Sequence, residues 1–244
     1  MLLQFLKETA KLAIIAVLLS FLLRRYLRWR KPNLATTAEE HRLFVLLILG
    51  AVLIGLKVSE EALIGGSGPI DKAILLFVHR NVPPSWTPFF EMVTLTGSFR
   101  VLFPLSLISC LTLFAFKKRF ESLLLALSTI CGGLTIYLLK QLTDRERPAL
   151  WETRWYWGTS FPSGHTLETT CFAMALALCL RPIWPDKVRP VRITALLWVV
   201  LVGWSRLVLG VHWPTDVMAA ACIGMLIPLA VQFLLVRMAL AKAK

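Results

Sequence analysis

The stretch that decides the fold is Val217–Val236, VMAAACIGMLIPLAVQFLLV. It runs 20 residues without a charge, and a helix needs about 20 apolar residues to cross the bilayer core. Working outward, similar runs recur at Leu12–Leu23, Leu43–Val58, Val101–Phe116, Leu123–Leu139, Thr166–Leu180 and Ile193–Leu209. Each is bounded by charged or turn-forming residues, the pattern of a polytopic membrane protein. Composition agrees: 57% of the 244 residues are hydrophobic and mean hydropathy is +0.70, whereas soluble domains are about 45–50% apolar. The expected fold class is all-α, a transmembrane helix bundle with a six-helix core and an extra N-terminal helix.

The net charge of +13 would suit a nucleic-acid-binding protein if it formed one patch. Here the cations fall between the apolar runs, so no nucleic-acid partner is expected. Their placement follows the positive-inside rule. Arg24, Arg25, Arg28, Arg30 and Lys31 precede the second run. Lys117, Lys118 and Arg119 follow the third, Arg181, Lys187, Arg189 and Arg192 follow the fifth, and Arg237, Lys242 and Lys244 form the tail. All four groups alternate correctly for a cytoplasmic location, so the C-terminus is expected inside. The segments Ser59–Arg100, Trp151–Phe161 and Gly210–Thr215 then face outward. The one-sided flank of Leu12–Leu23 favours a seventh span, with an interfacial helix as the alternative. No small-residue cleavage site follows that run, so a cleaved signal peptide is not expected. The expected division is 1–41 for the N-terminal helix and basic loop, 42–238 for the membrane domain and 239–244 for the tail. Within the first outer segment, Ile70–His79 reads as an amphipathic helix or an ordinary packed loop. Pro83, Pro84 and Pro88 are expected to end it, and Trp86, Phe89 and Phe90 suit headgroup level. The five cysteines lie in apolar runs without CxxC spacing and read as small core residues.

Three polar motifs fall on the outer side under this topology. They are Lys140-Gln-Leu-Thr-Asp-Arg-Glu-Arg147-Pro148; Pro162-Ser163-Gly164-His165; and Ser205-Arg206 with His212-Trp-Pro-Thr-Asp216. Lys140, Arg147 and Arg206 sit at ends of apolar runs, where an unpaired charge deep in the span costs about 2.5–3.5 kcal/mol. Positive flanks belong inside, so cations at outer ends call for an anionic ligand, and Arg and Lys both bind phosphate. Ser163 is placed to cap a helix whose free N–H groups bind phosphate oxygens, and Gly164 allows close approach. His212 and Asp216 stand four apart, sharing a face if helical. A carboxylate on one imidazole nitrogen leaves the other free as a nucleophile. A metal pair is the competing reading, disfavoured because further ligands are lacking nearby.

Together these residues resemble the type 2 phosphatidic acid phosphatase superfamily, whose pattern is K-x6-R-P, P-S-G-H, S-R-x5-H-x3-D. Residue types, spacing and order all match, over about Leu43 to Val236. The resemblance implies a metal-independent hydrolase, without cofactor, acting on a lipid phosphate or diphosphate of the undecaprenyl, phosphatidylglycerophosphate or phosphatidic acid class. It implies His212 as nucleophile, Asp216 as its orienting partner and His165 as acid and base. Lys140, Arg147, Ser163, Gly164 and Arg206 would bind phosphate. The expected setting is the cell inner membrane with the site on the outer or periplasmic face. A phosphotransferase would use the same residues, and an anion transporter would leave the paired His–Asp spacing unexplained.

Overall fold

The structure of the chain, a computed structural model, describes residues 2–30, 42–64, 68–153 and 158–242. Lys31, Lys244 and the centre of the Trp151–Phe161 segment lie outside the described residues. Two compact units are present, Met1–Lys57 and Val58–Lys244. The expected N-terminal helix is α1, Leu2–Arg30. Helix α2, Arg42–Ile64, carries the Leu43–Val58 run over 23 residues, a rise of about 35 Å at 1.5 Å per residue.

The larger unit carries the polar motifs. Its helices are α3 (Pro69–Asn81), α4 (Thr87–Thr96), α5 (Phe99–Ala115), α6 (Arg119–Leu142), α7 (Gly164–Leu180), α8 (Val188–Val208) and α9 (Pro214–Lys242). Among the described residues four helical stretches are long and apolar enough to cross a membrane: Pro84–Ala115, Arg119–Leu142, Pro185–Val208 and Pro214–Ala241. The shorter α7, 17 residues, packs against α6, α8 and α9. Ten of its residues are buried. A helix buried on most sides, its threonines included, belongs at the centre of such a bundle.

The expected loop between the second and third runs holds more helix than the prolines implied. Helix α3 covers the amphipathic stretch, with Leu75 and Val78 buried against Leu207 and Trp213. A single 3₁₀ turn, Pro84–Trp86, then leads directly into α4. Pro88 does not break this helix because it lies in the first turn, where a missing N–H costs no hydrogen bond.

The core joins Leu102 and Leu113 of α5, Leu124 and Leu125 of α6, Phe172 and Ala175 of α7 and Val231 of α9. The outer faces are left apolar and exposed, as at Ile108 and Leu111 of α5, Ile130 and Leu134 of α6, and Leu196 and Val200 of α8. Contiguous apolar surface on this scale marks contact with lipid. In lipid, helix association draws on close packing and hydrogen bonds more than on the exclusion of water. Both appear here. The Cys171 thiol donates to Ser128 O at 3.0 Å, and the Cys179 thiol to Glu121 O at 3.2 Å. All five cysteines are free thiols.

Gly224 sets the approach of α9 to α7. A Cβ there would stand 2.5 Å from the Leu167 carbonyl oxygen and 2.9 Å from Thr170 Cβ. Gly224→Ala is therefore expected to force the helices apart and destabilise the bundle by about 1–3 kcal/mol. Thermal unfolding in detergent measures this, and an unchanged midpoint would contradict the packing.

Candidate active site

All three motifs meet at one end of the bundle, as the loop charges anticipated in placing them on one side. The ends of α6 and α8 and the starts of α7 and α9 supply them. The long α6–α7 connection is fastened near its roots. Thr143 Oγ1 donates to Phe161 O at 3.1 Å, Ser160 N to Arg145 O at 2.8 Å, and Lys140 Nζ to Thr159 O at 2.5 Å. The chain thus leaves α6 and returns to α7 through the same small region.

His212 sits in the turn between α8 and α9 and is 2% exposed. Two features shape that turn. Gly210 has φ +66, and a Cβ there would clash with the Trp151 indole at 2.5 Å, so glycine suits both its backbone and its space. Trp151 is itself stacked on His79 at 4.0 Å. Pro214 then opens α9. His212 and Asp216 therefore meet across a helix start, not along one face as their spacing first suggests.

Their geometry defines the imidazole. Arg147 Nη1 lies 3.3 Å from His212 Nε2. A guanidinium only donates, so Nε2 accepts and the ring proton belongs on Nδ1. Nδ1 faces Asp216 Oδ2 at 3.6 Å, close enough for electrostatic attraction though longer than a hydrogen bond. Arg147 is steadied by donating to Val211 O at 2.8 Å and, through Nε, to Gly158 O at 3.1 Å. Burial pushes the His212 pKa down to about 3, against the opposing pull of Asp216, with Arg206 and Arg147 adding to the fall.

The cations converge. Arg147 and Arg206 both lie within electrostatic reach of Lys140, and all three, with His212, act on His165. Arg206 is 1% exposed and donates to Thr94 Oγ1 of α4. His165 stands in the first turn of α7. The hydrogen-bond ladder of α7 begins with Leu167 N to Ser163 O at 3.0 Å, so the amides of Gly164, His165 and Thr166 lie ahead of it. Ser163 occupies the cap position, but its hydroxyl pairs with Thr166 Oγ1 at 3.0 Å and makes no cap bond to the backbone. Among the described residues no three His, Cys, Asp or Glu side chains gather as a metal-ligand set.

Five contributors were not singled out from sequence: Arg145, Ser160, Trp213, Asp71 and Thr215. Asp216 Oδ1 accepts from Arg145 Nη1 at 2.5 Å, and Oδ2 accepts from Ser160 Oγ at 2.5 Å and Trp213 N at 2.9 Å. Arg145 Nη2 donates to Asp71 Oδ2 of α3 at 2.7 Å. Asp71 also accepts from Thr215 N at 3.1 Å and Thr215 Oγ1 at 2.6 Å. Asp216 thereby serves the α9 N-terminus as well as His212: it reaches back to the amide ahead of the helix, as the acidic half of a capping box does. Arg145 carries the same signal as Arg147, a cation beside the end of an apolar run on the side expected to face outward. Asp71 carries none, because its partners lie more than 70 residues away.

Comparison with known proteins places the chain in a family. A sequence profile described as the PAP2 superfamily matches residues 121–238. Phosphatidylglycerophosphatase B of Bacillus subtilis is 33% identical over 138 residues, covering 55% of this chain and 68% of that protein. The undecaprenyl-diphosphatase of Sulfolobus acidocaldarius is 40% identical over 65 residues, 27% of this chain and 28% of that one. The crystal structure of a transmembrane PAP2-type phosphatidylglycerolphosphate phosphatase from Bacillus subtilis superposes with a TM-score of 0.70 at 27% identity, covering 77% of this chain and 94% of that chain. The chain belongs to the PAP2 superfamily and is one of its multi-pass membrane phosphatases.

Because burial lowers the pKa of His212, the ring is neutral above about pH 3 and charged only below it. NMR of Cε1-labelled histidine in detergent is expected to show His212 untitrated between about pH 5 and 8, where an ordinary histidine titrates. A titration midpoint inside that window would contradict the buried, neutral ring.

Proposed function

We propose that the protein hydrolyses the terminal phosphate of a membrane lipid through a phosphohistidine on His212, at a site facing the outer side of the membrane. The observation that carries this reading is the pairing of His212 Nε2 with Arg147 at 3.3 Å while Nδ1 faces Asp216. One nitrogen is unprotonated beside a phosphate-binding cation, and the other is set against a carboxylate. This is the state a nitrogen nucleophile needs.

In the first step Nε2 attacks phosphorus and the phosphorus–oxygen bond to the lipid breaks. His165 donates a proton to the departing oxygen. Lys140, Arg147 and Arg206 hold the phosphoryl oxygens with the first-turn amides of α7, and Arg147 passes from Nε2 to the substrate. Asp216 balances the charge on the His212 ring. In the second step His165 takes a proton from water, whose oxygen attacks phosphorus and breaks the phosphorus–nitrogen bond. Inorganic phosphate leaves and His212 is restored. Phosphoryl transfer rests largely on positioning and charge stabilisation, and this site is built from groups that provide both.

The lipid class follows from two supports. The site lies at the ends of apolar helices whose outer faces are exposed, so a substrate anchored in the bilayer meets it at headgroup depth. The relatives are a phosphatidylglycerophosphatase and an undecaprenyl-diphosphatase, which narrows the candidates to glycerolipid phosphates and prenyl diphosphates. Loop charges support the outward orientation. Lys117 and Lys118 lie between α5 and α6 and Arg119 begins α6, at the end of the bundle away from the site, and such clusters stay in the cytoplasm.

In purified protein, His212→Ala is expected to lower phosphate release by about 1,000-fold or more, as loss of a nucleophile does, with a chelator making no difference to the wild type. Retained release would remove His212 from the nucleophilic role. In a background without the native cysteines, Glu152→Cys in cells is expected to react with a membrane-impermeant thiol reagent and Lys118→Cys to be protected. The reverse labelling would overturn the orientation.

A further inference from the structure

Asp216 is held more firmly than a carboxylate that only balances a histidine would need. Arg145 fixes one of its oxygens, and Ser160 and the Trp213 amide fix the other. The carboxylate cannot turn without breaking bonds on both sides. Arg145 is gripped in the same way. Its two terminal nitrogens divide between Asp216 and Asp71, and Nη1 also donates to Thr215 Oγ1 at 2.8 Å. Asp71, from α3, closes the arrangement by binding the amide and hydroxyl of Thr215, the residue next to Asp216. The side chains of Asp71, Arg145 and Asp216 are at most 3% exposed.

Burying three charged groups is costly, and a fastening of helices alone is often served as well by apolar packing. What the charged arrangement adds is direction. A planar guanidinium joins two carboxylates only in a narrow range of orientations. We propose that Asp71 and Arg145 are positioning residues for the phosphoryl transfer: Asp71 locks the Arg145 guanidinium, and Arg145 locks Asp216 in the orientation that faces His212 Nδ1. Neither touches the substrate. The inference rests on the reading of His212 as nucleophile. It adds that an outer-loop helix, α3, is part of the machinery, joined to the nucleophile through Asp71, Arg145 and Asp216.

The test compares Asp71→Asn, Asp71→Glu, Arg145→Lys, Asp216→Asn, the double variant Asp71→Asn/Asp216→Asn and His212→Ala, all as full-length protein in detergent. The readouts are kcat, KM and inhibition by inorganic phosphate. Misplacing a reacting group by about 1 Å costs on the order of 100-fold. Asp71→Asn and Arg145→Lys are therefore expected to lower kcat by about 10- to 100-fold. KM and the phosphate inhibition constant should stay within about twofold, since the phosphate-binding groups are untouched. Asp71→Glu, which keeps the carboxylate, should recover part of the loss. If Asp71 acts through Asp216, adding Asp71→Asn to Asp216→Asn should cost less than about twofold more. Full multiplication of the two losses would overturn the proposal, as would undiminished kcat in Asp71→Asn or a phosphate inhibition constant that weakens in step with kcat. If those results came with an inactive His212→Ala, the positioning inference alone would fall. An active His212→Ala would overturn the nucleophile reading and this inference with it.

Discussion

The Arg145 guanidinium, shared between Asp71 and Asp216, is the interaction on which the rest of the site depends. It lies out of water at the end of a membrane bundle, where a charge without a partner would be strongly destabilising. Each member is therefore committed to the others. Asp71 through the Thr215 amide, and Asp216 through the Trp213 amide, also cap the start of α9. One set of bonds thus finishes a helix, ties down α3 and aims a carboxylate at His212. A site built this way is rigid before substrate arrives, as electrostatic catalysis requires.

The surrounding bundle serves that rigidity. With lipid on the outside, burial of apolar surface gives little drive for helix to pack on helix. The central α7 compensates with small residues, threonines and thiols that let its neighbours come close or bond to their carbonyls. Its first turn stands at the centre of the site with His165, and its sides touch α6, α8 and α9. Each of these flanking helices brings a motif residue to the same end. Lys140 lies near the end of α6, Arg206 near the end of α8, and Asp216 in the first turn of α9. The convergence of Lys140, Arg147 and Arg206 makes physical sense for a ligand carrying about two negative charges.

Much of this was legible in the sequence, for identifiable reasons. The apolar runs fixed the helical class because only a helix or a closed barrel satisfies the backbone in lipid. The motif residues stood out because cations at outer helix ends contradict the usual placement of charge. Arg145 is open to the same argument, but it stands between two motif positions, Lys140 and Arg147, and is not itself one. Asp71 was hidden for a deeper reason. A lone acidic residue at the start of an amphipathic helix is ordinary, and its role exists only once α3 is folded against α9. The prolines misled in the opposite direction, since Pro88 starts a helix where a break was expected. The His212–Asp216 spacing gave the right pair with the wrong geometry, because Pro214 opens the helix between them.

The central claim is that His212 carries the phosphoryl group. Rapid acid-free quenching of the enzyme turning over a lipid substrate labelled with radioactive phosphate, followed by peptide mapping, tests it most directly. The account predicts label on the peptide bearing His212, stable to alkali and lost in acid, as a phosphorus–nitrogen bond behaves, and absent from His212→Ala. Label on another residue, or none while turnover continues with inversion at phosphorus, would contradict it.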